Sequence, residues 1–145
     1  MKHIPMVSLR LVRERTVPYQ TRSLENSHAV YEMFRLLAED LDREAICVAC
    51  LDAKNRVNCL SQVSLGTLTN APAHPREIMK IALAANAWGI VLVHNHPSGD
   101  PEPSREDRQV TAQVKAASQI LGIKMLDHLI VGDGRFYSFA DQGGL

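Results

Sequence analysis

The sequence predicts a single domain of mixed α/β (α+β) class, and three observations predict it. Stretches with apolar residues three and four apart alternate along the chain with short apolar runs that read as strands. One of those runs, Gly89-Ile90-Val91-Leu92-Val93, holds no polar side chain, as a buried strand does. A length of 145 residues and a hydrophobic content of 46% give one domain material for a proper core.

Val7 to Val12 (Val-Ser-Leu-Arg-Leu-Val) alternates apolar and polar positions, which predicts a strand within an N-terminal arm over residues 1–22. The domain itself is expected over 23–145. Asn26 or Ser27 caps a first helix whose apolar positions Val30, Phe34, Leu37 and Leu41 share a face. Ala45 to Leu51 is a strand, and Asp52-Ala53-Lys54-Asn55 turns it into a second, Arg56 to Leu65, forming a hairpin. A loop from Thr69 to Pro75 leads to a helix from Arg76 to about Ala87, with proline near its start, where its fixed φ suits a helix. Gly89 to Val93 is the central strand. A histidine-bearing loop follows, then a helix from Arg105 to Leu121 that stops at Gly122, a residue free to take the left-handed cap. Ile123 to Val131 is a further strand, Asp133-Gly134 a hairpin turn, and Phe136 to Phe139 a last short strand. Phe34 and Trp88 read as core residues. The chain has no internal repeat and no low-complexity linker.

The chemistry concentrates in His94-Asn95-His96-Pro97, followed by Ser104 and Asp107, a pattern H-x-H-P-x6-S-x2-D at the end of the central strand. Side chains two apart on a strand point the same way, so His94 and His96 can close on one ion. Asp107, in the first turn of the next helix, adds an oxygen ligand. Two imidazoles, one carboxylate and an open fourth position form the ligand set of a catalytic zinc site. Ser104-x-x-Asp107 is also a capping box, which would hold the helix end rigid but leaves the paired histidines unexplained. The consecutive letters His-Asn-His do not make the nuclease motif named after them, which spreads its residues over a hairpin and a helix. Asn95, between the two ligands, is expected to point away from the ion and to be structural.

A zinc hydrolase also needs a carboxylate to move a proton between water and leaving group. Glu44 opens an apolar strand where a carboxylate has no packing reason to be, although it could equally belong to the polar loop after the first helix. Glu77 competes, yet an acid in a helix's first turn is explained by the dipole. Glu102 and Glu106 are accounted for as solvated loop and helix residues. His74, before Pro75, reads as a helix-entry residue. Asp127 and His128 are adjacent in an apolar strand and cannot both face one side; one of them could hydrogen-bond behind the metal site, or either could be a satisfied core residue.

Composition narrows the partners. Lys+Arg and Asp+Glu each number 16, so the chain has no basic excess of the kind a dedicated DNA binder shows. The basic residues that do cluster, Arg10, Arg13 and Arg15, lie in the arm with Glu14 among them. No apolar run approaches membrane length and the N-terminus lacks a signal-peptide core, so a cytoplasmic location is expected. The three cysteines, Cys47, Cys50 and Cys59, are an odd number that argues against a disulfide framework. Cys47 and Cys50 have the letters of a metal pair, but three apart on a strand they face opposite sides, and no second C-x-x-C completes a site. The His-x-Glu and Pro-Cys-x-x-Cys of nucleobase deaminases are missing too. The cysteines read as small core residues.

Taken together, these residues make the chain resemble the JAB/MPN (JAMM) metalloprotease-like fold, and within it the RadC-like bacterial proteins. The resemblance runs from about residue 25 to the end. It rests on Glu44, Ser64-Leu65-Gly66-Thr67-Leu68, His74-Pro75-Arg76-Glu77-Ile78, His94 to Asp100, Pro103-Ser104 with Asp107, and Leu126-Asp127-His128-Leu129-Ile130. The family signature, a glutamate followed by H-x-H-x10-D, is matched by Glu44, His94, His96 and Asp107. The resemblance implies a curved mixed β-sheet flanked by helices, with zinc at the end of a central strand. It also implies Glu44 as the catalytic acid/base. Two departures stand out. Full-length RadC-like proteins carry an upstream helix-hairpin-helix region, for which 145 residues leave no room, so any DNA association is expected to be weaker. Wider-family proteases often have glycine three residues after the glutamate, where this chain has Cys47.

The expected activity is hydrolysis of an amide, peptide or isopeptide bond by a zinc-activated water, with a peptide or protein as substrate. His94, His96 and Asp107 hold the metal, Glu44 takes and returns the proton, and Ser104 donates to the developing oxyanion. Two other readings stand beside it: a non-catalytic binding scaffold, which has no need of an open metal site, and a DNA-repair or recombination accessory protein, which the neutral charge disfavours.

Overall fold

A computed structural model describes residues 1–39, 41–66 and 73–145. Its elements run α1 (Ser27–Glu39), β1 (Ala45–Leu51), β2 (Val57–Leu65), α2 (Pro75–Ala84), β3 (Gly89–Asn95), α3 (Arg105–Leu121), β4 (Lys124–Val131) and β5 (Phe136–Ser138). The strands form one sheet in the order β2-β1-β3-β4-β5. β3 and β4 pair in parallel through the α3 crossover, and the other neighbours are antiparallel. This is the mixed, helix-flanked sheet that the sequence predicts.

Alternation along the strands divides the core into two layers. Ala49, Leu51, Val91, Val93, Leu129 and Val131 pack under α1 with Val30 and Phe34. Val48, Cys50, Ile90 and Leu92 pack on the other face under Ile78 and Ala82 of α2 and Val114 of α3. Cys47 therefore lies against the α1 layer and Cys50 against the α2–α3 layer, facing apart as residues three apart must. His94 continues the Ile90 and Leu92 row, which aims it at α3. Asn95 continues the opposite row.

Capping chemistry sets the helix ends. The Asn26 side chain accepts from Ala29 N–H (2.9 Å), so of the two residues expected to cap α1 it is Asn26 that does so. His74 Nδ1 accepts from Arg76 N–H (3.1 Å), making His74 the cap of α2 and Pro75 its first residue. α2 ends at Ala84, short of the expected Ala87. Asn86 takes φ 50° and Ala87 N–H reaches back to Ala82 O (2.9 Å), a left-handed stop made without glycine. α3 ends as expected, with Gly122 at φ 69°.

The expected strand over Val7–Val12 does not form. Val7, Leu9 and Val12 are at least 77% exposed, and no strand among the described residues pairs with them. Alternation supplies a face to bury but not the neighbour that must accept the ladder's hydrogen bonds. The chain joins the sheet at Arg22, whose carbonyl accepts from Val57 N–H (2.9 Å), at Ser23, which bridges Arg56, and at Leu24, which is buried. Trp88 also departs from expectation: it is 36% exposed, with Lys124 Nζ 4.8 Å from its ring centroid, whereas Phe34 is core. The expected loop over Thr69–Pro75 falls mostly outside the described residues. No helix among the described residues is long and apolar enough to cross a membrane.

Candidate metal centre

The end of β3 and the start of α3 meet beside the start of β1. Ile46 pairs with His94 in the antiparallel β1–β3 register, so two residues further along Glu44 stands across from His96. His94 Nε2 is 3.4 Å from Glu44 Oε2, and its Nδ1 is 3.2 Å from Asp107 Oδ1. His96 Nε2 is 3.1 Å from Asp107 Oδ2 and 4.0 Å from Glu44 Oε1. The two rings stand nearly perpendicular, with centroids 4.8 Å apart.

Each side chain is held from behind. His96 Nδ1 lies 2.8 Å from the Asp100 carbonyl; donating there leaves Nε2 as the free lone pair aimed at the carboxylates. The loop carrying Asp100 is pinned by His96 N–H to Val131 O (2.9 Å) and Asp133 N–H to Gly99 O (2.9 Å). It passes so close to Gly132 that a Cβ there would lie 2.4 Å from Gly99 O. Asp107 is fixed by a capping box: Asp107 Oδ2 accepts from Ser104 N–H (2.8 Å), and Ser104 Oγ accepts from Asp107 N–H (3.1 Å). The Ser104 hydroxyl thus keeps its proton free to donate. The two readings of Ser104-x-x-Asp107, cap and site, coexist in one motif.

Behind the cluster, Thr111, one turn after Asp107, donates to Asp107 O (2.7 Å) and stands 2.6 Å from His128 Nδ1. With the hydroxyl proton committed to the carbonyl, His128 is the donor in that second bond. Its ring stacks on Phe139 (4.9 Å) and lies 6.2 Å from His94. Asp127 turns away, accepting from Ser138 Oγ (2.6 Å), Ala140 N–H (3.0 Å) and His128 N–H (2.8 Å). Of this adjacent pair, His128 faces the site and Asp127 ties down the β5 end. Thr111 was not singled out in the sequence; its position four after Asp107, on the same helix face, is the signal that marks it.

The titration of these groups follows from their surroundings. Burial works to raise the Asp107 pKa, but the two imidazoles and Ser104 N–H overcome it and hold the carboxylate far below its ordinary range. Burial likewise works to lower His96, and Asp107, the Asp100 carbonyl and Glu44 together raise it above the ordinary histidine value. Carboxylates that draw protons onto imidazoles also draw a metal ion, which takes the protons' place. The donor set fits one. Both ring nitrogens of His94 are buried without a hydrogen-bond partner, an arrangement that costs free energy unless something else satisfies them. Ligand atoms of Glu44, His94 and His96 lie within 4.8 Å of one another, and Asp107 touches both rings.

The remaining candidates lie elsewhere. Glu77 is on the surface, paired with Lys80 (2.8 Å), and Glu102 is an exposed partner of Arg108 (3.4 Å). Among the described residues no cysteine joins the cluster.

Burial lowers the His128 pKa to about 3, with repulsion from His94 adding to it. The ring therefore stays neutral in the fold where an unfolded chain's histidine takes a proton below about pH 6.5. Protons then favour the unfolded state as pH falls from 6.5 toward 3, a loss of up to roughly 1.4 kcal/mol per pH unit from this one group. Urea unfolding of chelator-treated protein at pH 7 and pH 5 should show a smaller acid loss in His128→Asn than in the native chain. Equal losses would contradict this assignment.

Comparison with known proteins agrees with this fold. A family model described as a RadC-like JAB domain matches residues 24–145. A UPF0758 protein of Symbiobacterium thermophilum is 43% identical over 132 residues, which cover 91% of this chain and 56% of that protein. UPF0758 proteins of Pelobacter propionicus (43% over 133 residues, 88% of this chain and 58% of that protein) and Thermotoga maritima (42% over 122 residues, 84% and 54%) are similar to it as well. The chain thus spans little more than half the length of these curated relatives.

Proposed function

The chain belongs to the RadC-like JAB domain family, and from that membership and the geometry of its buried cluster we propose that it is a zinc-dependent hydrolase of the JAMM type, cleaving an amide, peptide or isopeptide bond. The observation that carries this reading is His94, buried between two carboxylates with neither ring nitrogen hydrogen-bonded. A purely structural histidine in a core finds a partner for at least one nitrogen.

His94, His96 and Asp107 would hold the ion. Zinc bound there supplies a Lewis acid that polarises the scissile carbonyl and an activated water as nucleophile. Division of labour between the carboxylates follows from their settings. Asp107 is locked by Ser104 N–H and kept ionised, which suits a permanent ligand and makes it a poor base. The Glu44 carboxylate faces His94 from the side opposite Asp107. Glu44 takes a proton from the attacking water and passes it to the departing nitrogen. Ser104, its hydroxyl proton uncommitted, donates to the developing oxyanion.

A panel of quenched-fluorescence peptides and isopeptide-linked conjugates tests this reading. Cleavage that chelation abolishes and zinc restores supports it; cleavage indifferent to chelation, or none by zinc-loaded protein, contradicts it and favours the binding scaffold. The DNA-accessory reading finds little support in a chain of zero net charge. Arg10, Arg13 and Arg15 are exposed on the arm, so a weak contact with phosphates is expected there at low salt, disappearing near physiological ionic strength. Filter binding of duplex DNA across a salt series checks this, and tight, salt-resistant binding would promote the DNA reading. Deletion of residues 1–15 is expected to abolish that low-salt contact.

A further inference from the structure

We infer that Asn95, the residue between the two histidines, is the positioning residue for Glu44. This inference rests on the reading of Glu44 as the proton carrier given above. The Asn95 side chain leaves β3 on the face opposite His94 and is 5% exposed. Its Oδ1 accepts from Ala45 N–H (2.8 Å), and its Nδ2 donates to Arg43 O (3.0 Å). These are the backbone groups immediately after and immediately before Glu44. On the other side, Glu44's own carbonyl accepts from Gly66 N–H (2.8 Å). The peptide units around Glu44 are therefore fastened from both sides at the point where the β1–β3 ladder gives out beyond the Ile46–His94 pair.

The arrangement explains a carboxamide at this position. One acceptor and one donor, about the span of a peptide group apart, are what a missing stretch of strand would have offered to Arg43 O and Ala45 N–H. A glutamate at a strand entrance has no ladder of its own to fix its Cα, and an error near 1 Å in a catalytic group is costly. Asn95 supplies that fixation from the same three-residue segment that presents both imidazoles. Ligand geometry and acid/base geometry are thus set by one piece of chain: His94 and His96 face the ion and Asn95 sets the Cα of the residue opposite.

Cobalt(II) loading tests the coupling without any substrate. In the Co(II) protein, the visible spectrum is followed against pH, and its midpoint reports the environment that Glu44 gives the open coordination position. Native, Glu44→Gln, Asn95→Ala and the double variant are compared, with metal stoichiometry and thermal melts beside them. Asn95→Ala is expected to keep about one cobalt per chain, because its side chain touches neither imidazole. Its midpoint is expected to move in the same direction as that of Glu44→Gln, with little further shift in the double variant, since the two act as a unit. Asn95→Asp, an isosteric change that keeps the Ala45 bond and loses the Arg43 bond, gives a second cycle should Asn95→Ala fold poorly. The direct effect of its added charge on the metal cancels in the cycle, and a neutral Asn95→Ser variant, which loses both bonds, separates the new carboxylate–carboxylate repulsion from the lost positioning. Full additivity of the shifts at 95 and 44, or a native midpoint in Asn95→Ala, would overturn the inference while leaving the metal site intact. Failure of the native chain to bind cobalt, or a Glu44→Gln midpoint equal to the native one, would instead bring down the underlying reading of Glu44 and this inference with it.

Discussion

Replacing Glu44 by glutamine is expected to lower hydrolytic turnover by roughly 10²- to 10⁴-fold, the usual loss when a general base is removed. The amide keeps the shape of the side chain but cannot accept the water's proton. Nothing else in the cluster can take over: the pKa of Asp107 is held far below that of a useful base, and Asp127 faces the β5 end. Metal content should be retained, because His94, His96 and Asp107 are untouched. Steady-state rates on a substrate from the peptide panel, with zinc measured on the same preparations, check this. Full activity in Glu44→Gln, with loss in Glu77→Gln, would identify the wrong carboxylate, although Glu77 sits on the surface against Lys80.

Asp127→Ala is expected to cost about 3 kcal/mol or more in unfolding free energy. The carboxylate accepts from Ser138 Oγ, Ala140 N–H and His128 N–H, and all three donors are left without an acceptor in or near the core. Each such loss costs about 1–3 kcal/mol. Burial outweighs those bonds and raises the Asp127 pKa, so the carboxylate is kept for the structure it ties together rather than for ease of ionisation. Asp127→Asn keeps the size and one acceptor and should recover part of the loss. Urea denaturation of native, Ala and Asn forms measures it, and a loss below about 1 kcal/mol for Asp127→Ala would show that the β5 end relaxes to satisfy the donors by itself.

Much of the fold was legible because local signals agreed. Gly122 after a 3.6-periodic stretch placed the end of α3, and the fully apolar run placed β3 in the centre of the sheet. Legibility failed where the deciding interaction is not local. Val7–Val12 has a strand's pattern but no partner strand among the described residues, and pattern alone does not supply one. α2 stopped early because Asn86 took a left-handed conformation that the sequence advertises far less plainly than glycine does. In the site, the i, i+2 histidines and the Ser104–Asp107 spacing were readable from strand and helix geometry. Glu44 was recognisable from position only as one of several acids, since its partners lie fifty residues on. The same distance hid Asn95, whose bonds to Arg43 and Ala45 depend on the β1–β3 register. Which of Asp127 and His128 faced the site depended on Thr111, a neighbour on a different element.

The central claim, that these residues make a catalytic zinc centre, is tested most directly by elemental analysis of the purified protein and four variants. The account predicts about one zinc per chain in the native protein, none in the His94→Ala, His96→Ala double variant, and most of it lost in Asp107→Ala. Cys47→Ser and Cys50→Ser should keep it in full, since both thiols lie within the apolar layers on either side of the sheet. Zinc retained after both histidines are removed, or lost with either cysteine, would contradict the assignment.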